Sequence, residues 1–157
     1  LYHACLKIPN FFIDYVKSMF VNNQGRGRSW KKFLHILQTN GVGLAYFLGS
    51  QKELGPARLR GEDVEGKPDS DLDLGVVLLE HPLDYWEGQK LRQRLEDGLA
   101  PLFAPLRLHL LLLEEENAHV QYAAIRALQV YAVNEDFTRR YRRQVLTLYG
   151  DWHSWWP

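Results

Sequence analysis

The chain has 157 residues, 46% of them hydrophobic and 13% aromatic, enough for one domain with a full core. Its 19 basic and 19 acidic residues cancel, so no overall charge draws it to nucleic acid or to a membrane surface, and any such binding has to be local. Cys5 is the single cysteine, which excludes an internal disulfide and a multi-cysteine zinc site and makes a reducing, cytoplasmic location the expectation. No apolar run approaches the roughly 18 residues of a membrane span, and Lys7, Asp14 and Lys17 interrupt residues 1–20, so neither an anchor nor a signal peptide is expected.

In chain order, Pro9 suits the first turn of a helix carrying Phe12, Tyr15, Val16 and Met19, and 22–28 reads as loop. Ser29 is placed to cap a second helix with Trp30, Phe33, Leu34 and Leu37, which Asn40-Gly41 stops. The apolar run Val42 to Leu48 is a buried strand ending at Gly49-Ser50. Residues 51–70, with Gly55-Pro56, Gly61, Gly66 and Pro68, read as a long mobile loop, of the kind that tends to carry function. Asp71 to Leu79 form a second strand. A helix follows with Leu91, Leu95, Leu99 and Leu102 on one stripe, and Leu106 to Leu113 form a third strand. Asn117 is placed to cap a helix bearing Val120, Ala123, Ala124 and Ala127, Val130 to Val133 give a short fourth strand, and Asn134 caps a last helix with Phe137, Tyr141, Val145 and Leu148 inward. Strands alternating with helices imply an α+β, α/β-like layer, with helices covering a small mixed sheet and an extra helix at the N-terminus. The expected division is a helical extension over 1–28 and the main domain over 29–157. There is no internal repeat.

The chemistry gathers where two strands end. Side chains alternate along a strand, so Asp71 and Asp73 share one face while Leu72, Leu74 and Val76 enter the core. Two carboxylates on one face suit a divalent metal. Magnesium commonly takes one or two carboxylates and completes its shell with phosphate oxygens and water, so a nucleoside triphosphate is the expected companion; manganese or another divalent ion would fit the same pair. Asp69, Asp71, Asp73 and Glu80 also match the spacing of a calcium-binding EF-hand loop, but Leu74 takes the place of its glycine and an apolar strand replaces its second helix.

Gly49-Ser50, Arg60-Gly61-Glu62 and Asp69-Ser70-Asp71-Leu72-Asp73-Leu74 together resemble the minimal nucleotidyltransferases of the DNA polymerase β superfamily. The resemblance runs from about Trp30 to the C-terminal helix through the order of elements. It implies a nucleotidyltransferase fold and transfer of a nucleoside monophosphate, from a triphosphate such as ATP, to an acceptor hydroxyl with two magnesium ions. Gly49, Ser50 and Ser70 would bind the nucleotide, Asp71 and Asp73 the metals. Two features depart from the family pattern. The spacer from Gln51 to Ser70 is twenty residues, longer than the family's. His109, in Leu108-His109-Leu110, stands where the family places a third catalytic carboxylate, so that His109 completes the catalytic set expected here: Asp71, Asp73 and His109. The family's acceptors include protein side chains, small molecules and RNA ends. Its members are often paired with a helical HEPN-type protein as antitoxins, which implies the alternative of a catalytically impaired nucleotide binder with a protein partner.

The remaining signals are weaker. Trp152, Trp155 and Trp156 end the chain as a tail packed on the core or as an interface anchor to a helical partner or a second copy. Arg139, Arg140, Arg142 and Arg143 read as a solvated helix face, and a nucleic-acid partner is not expected.

Overall fold

The computed structural model describes residues 27–82 and 84–154. The expected first helix lies outside them, as do the side chains of the tryptophan tail. The elements are α1 (Arg28–Thr39), β1 (Val42–Leu48), α2 (Leu54–Leu59), β2 (Leu72–Leu78), α3 (Tyr85–Phe103), β3 (Leu108–Leu112), a 3-10 turn (Leu113–Glu115), α4 (Ala118–Ile125), β4 (Leu128–Ala132) and α5 (Glu135–Ser154). The four strands form one mixed sheet in the order β3-β2-β1-β4. β1 is antiparallel to β2 and β4, and β3 lies parallel to β2. Among the described residues no helix is long and apolar enough to cross a membrane.

Alternation along the strands sends side chains into two cores. On one face Phe47, Leu72, Leu74 and Val76 pack with Trp30, Phe33 and Leu37 of α1 and Leu95, Leu99 and Phe103 of α3. On the other, Leu44, Tyr46 and Val77 pack with Ala124 and Ile125 of α4 and Tyr141 and Val145 of α5. Helices therefore cover both faces, as expected from strands that alternate with helices. Phe33 is the hub of the first core, stacked on Phe47 at 6.2 Å and edge-on to Phe103 and Trp30 at 6.0 and 5.7 Å.

Local chemistry explains most boundaries. Asn117 accepts from the Val120 N–H at 3.0 Å, and Asn134 from the Phe137 N–H at 2.7 Å, so both asparagines cap as the sequence implies. Asp84 caps α3 through the Glu87 N–H. Ser29 does not cap α1: the cap position is Gly27, which offers no side-chain bond, and Ser29 falls inside the first turn. Leu148 is 43% exposed and does not join the buried stripe of Tyr141 and Val145. Strands β2 and β3 are shorter at both ends than their apolar runs, and β4 starts earlier, at Leu128.

The largest departure lies within 51–70, where α2 replaces an expected loop. Pro56 is tolerated in its first turn, and Ala57 and Leu59 are buried. Gly55 sits directly on the Phe47 ring, since a Cβ there would come within 2.5 Å of it. Replacing Phe33 by alanine is expected to cost about 3–5 kcal/mol, measured as a lowered denaturation midpoint at unchanged slope; a loss below about 1 kcal/mol would show that this aromatic cluster is not the core's centre.

Candidate active site

Topology brings three chain segments to one end of the sheet. β1 runs against β2 and β3 runs with it, so the C-terminal end of β1 lies beside the N-terminal ends of β2 and β3. In this register Leu48 is across from Asp73, and Asp73 is across from His109. Gly49, Ser50, Asp71, Asp73 and His109 thus converge as the sequence implies. Ser70 follows in the turn that enters β2, where its N–H donates to the Lys67 carbonyl at 3.2 Å. Asp69, in this turn, has the left-handed φ of 58° that aspartate tolerates better than most residues.

The two carboxylates share a face, each 33% exposed, while Leu72 and Leu74 between and after them are buried. Gly49 is pressed against this face. Its φ is +75°, and an added Cβ would lie 3.0 Å from Asp73 Oδ2, so a side chain here would be strained and would crowd the carboxylate. Ser50 is exposed at the start of the turn that leads into α2.

Each carboxylate has a partner on β3 or just before it. His109 Nδ1 lies 2.9 Å from Asp73 Oδ1. A carboxylate accepts and does not donate, so Nδ1 carries the hydrogen, and the neutral ring keeps a lone pair at Nε2. His109 is 53% exposed, a half-buried strand histidine bonded to its neighbour. Arg107 donates through Nε to Asp71 Oδ1 in a short ion pair, with its side chain 75% exposed. The Asp71 hydrogen bond, and then the Asp71 charge, raise the arginine above its ordinary pKa. Arg60 instead bonds Glu62 at 2.7 Å, a local pair within its own loop.

Two residues of the site escape a reading of the sequence. Arg107 carries no motif, although it precedes His109 by the same two positions that separate Asp71 from Asp73. Gln51 is buried in the stretch expected to be mobile. Its side-chain amide donates to the Asp71 carbonyl at 3.1 Å, and its carbonyl accepts from the Lys67 N–H at 2.7 Å, which ties the spacer to the root of β2. Nothing local in the sequence signals this, because both partners are far along the chain. Beside Asp71 opens a groove of about 450 Å³, lined among others by Lys67, Ser70, Pro105 and Arg107.

Among the described residues no group of three or more histidine, cysteine or acidic side chains converges to hold a metal by itself. The pair of half-open carboxylates does fit a magnesium ion that draws its other ligands from phosphate and water.

No protein-family model matches the chain, and comparison with curated proteins finds no significant match. Solved structures do match. A mutant of the toxin–antitoxin MntA–HpeT aligns with a TM-score of 0.54 at 16% identity, over 80% of this chain and 89% of that one. The toxin–antitoxin MntA–HepT gives 0.52 at 16%, over 80% and 88%. A toxin–antitoxin with AMP-PNP gives 0.54 at 17%, over 80% and 90%. This is the fold of the minimal nucleotidyltransferases. In this mixed four-stranded sheet the strand that carries Asp73 is interior, with the Gly-Ser turn beside it, and His109 stands on the neighbouring edge strand β3.

Gln51→Leu is expected to cost about 1–2 kcal/mol and to speed hydrogen exchange at the Lys67 amide, since two partners lose their bonds. Unchanged exchange at Lys67 would contradict the role of Gln51 as a tie.

Proposed function

We propose that the chain binds a magnesium–nucleoside triphosphate between Gly49-Ser50 and the Asp71/Asp73 pair and transfers its nucleoside monophosphate to an acceptor hydroxyl. The observation that carries this reading is the close approach of Gly49 to Asp73, which sets a main-chain turn with an exposed hydroxyl against two carboxylates on one face. Backbone N–H groups in such a turn suit the phosphate tail. Asp71 and Asp73 would hold the metal, which when bound shields phosphate charge and polarises the phosphorus under attack.

In the transfer, the acceptor oxygen forms a bond to the α-phosphorus while the bond from that phosphorus to the pyrophosphate oxygen breaks. Pyrophosphate leaves with the electron pair. The hydroxyl proton needs a base, and His109 offers Nε2 while Asp73 holds the other nitrogen as a donor. The acceptor approaches from the β3 side, where His109 stands.

The histidine also favours a second reading. An imidazole is a poorer magnesium ligand than the carboxylate it replaces, so the chain would bind nucleotide well and transfer it slowly, acting chiefly as the antitoxin of a helical HEPN-type partner. The similar solved structures, toxin–antitoxin complexes, support a protein partner. So do Tyr85 and Trp86, which lie 69% and 72% exposed with their rings 5.5 Å apart.

Calorimetry with ATP, GTP, CTP and UTP in magnesium tests the site. Metal-dependent binding is expected in the native protein and lost in the Asp71→Asn, Asp73→Asn double variant, with the fold intact; equal binding in both would sink the assignment. His109→Asp separates the two readings. Transfer that falls supports the histidine as base, and transfer that rises about tenfold or more supports an impaired binder.

A further inference from the structure

The ion pair between Arg107 and Asp71 is a contact that the transfer chemistry does not use. The Leu72 N–H donates to the Arg107 carbonyl at 2.8 Å, which fixes the root of β2 against the residue just before β3. With Asp73 across from His109, two positions further along each strand, the side chains form two rungs: Asp71 with Arg107, and Asp73 with His109. One oxygen of each carboxylate, Oδ1 of Asp71 and Oδ1 of Asp73, is therefore already engaged by a donor from the neighbouring segment.

We infer that Arg107 couples metal binding to phosphate binding: it opposes a bare divalent cation at Asp71, and moves onto the phosphates when metal and polyphosphate arrive together. This rests on the proposed metal–nucleotide site. A guanidinium on Asp71 Oδ1 sets a positive charge beside any cation that approaches this carboxylate, and so opposes its binding. The contact is one that can be surrendered. Arg107 is 75% exposed, and ion pairs so open to water are weak, so it opposes a metal without blocking it outright. The displaced arginine also has somewhere to go. It lines, with Lys67 and Ser70, the groove of about 450 Å³, whose other charged walls are the acidic Glu65 and Asp69. A planar guanidinium can bind phosphate oxygens in pairs, which a bare metal ion in water does not offer it. The same side chain thus penalises metal alone and favours metal with polyphosphate.

The two effects have opposite signs, and that is the test. Manganese alone, and manganese with inorganic tripolyphosphate, are titrated against the native chain, Arg107→Gln and Arg107→Lys, with binding followed by the electron paramagnetic signal of free manganese. Arg107→Gln should bind manganese alone about fivefold more tightly, and manganese–tripolyphosphate about tenfold more weakly. Arg107→Lys, which keeps the charge, should fall between the native chain and Arg107→Gln in both titrations. Affinities that shift in the same direction, or not at all, overturn the coupling while leaving the metal–nucleotide site standing. No binding of manganese–tripolyphosphate to the native chain overturns both.

Discussion

The parallel pairing of β3 on β2 is the constraint on which the site depends. It places Asp73 across from His109 and ties Leu72 to the Arg107 backbone, so Asp73 meets a nitrogen donor from β3 and Asp71 one from the residue just before it. A shift of one residue in this register would turn both donors to the opposite face, into the core built on Leu72, Leu74 and Leu110. The register is held by that same core, since Leu108, Leu110 and Leu112 must stay in step with Leu72, Leu74 and Val76. Packing on one face of the sheet thus positions chemistry on the other.

The remainder of the site is positioned by the antiparallel partner. Because β1 runs against β2, its end at Leu48 comes level with Asp73, and Gly49 can pass the carboxylate closely for want of a side chain. Gln51 then anchors the long spacer by bonding both its far end, at Lys67, and the carbonyl of Asp71. The long spacer is thereby tied to the strand that carries Asp73 and to Asp71 at its root. The helices contribute less directly: Phe33, Phe47 and Phe103 hold α1 and α3 on the sheet.

Much of this was legible in the sequence, for reasons that can be named. β1 was readable because a fully apolar run between Gly41 and Gly49-Ser50 has few other uses, and the caps at Asn117 and Asn134 were readable because capping is a local interaction. The convergence of Gly49, Asp71, Asp73 and His109 followed from alternation together with the family's order of elements. What escaped depends on contacts distant in sequence. α2 forms because Ala57 and Leu59 find a core that its glycine- and proline-containing stretch does not announce, Gln51 is buried by partners 16 and 20 residues away, and Arg107 reaches across 36 residues to Asp71. Ser29 does not cap because α1 begins at Arg28, two residues earlier than a cap at Ser29 requires.

The most direct test of the central claim is a crystal structure of the chain with manganese and a non-hydrolysable nucleoside triphosphate, with the metal located by its anomalous scattering. The account predicts a manganese peak about 2.1–2.3 Å from oxygens of both Asp71 and Asp73, with the phosphate tail against Gly49-Ser50. Nucleotide bound elsewhere, or Asp71 and Asp73 still paired with Arg107 and His109 and no metal between them at saturating manganese, would contradict it.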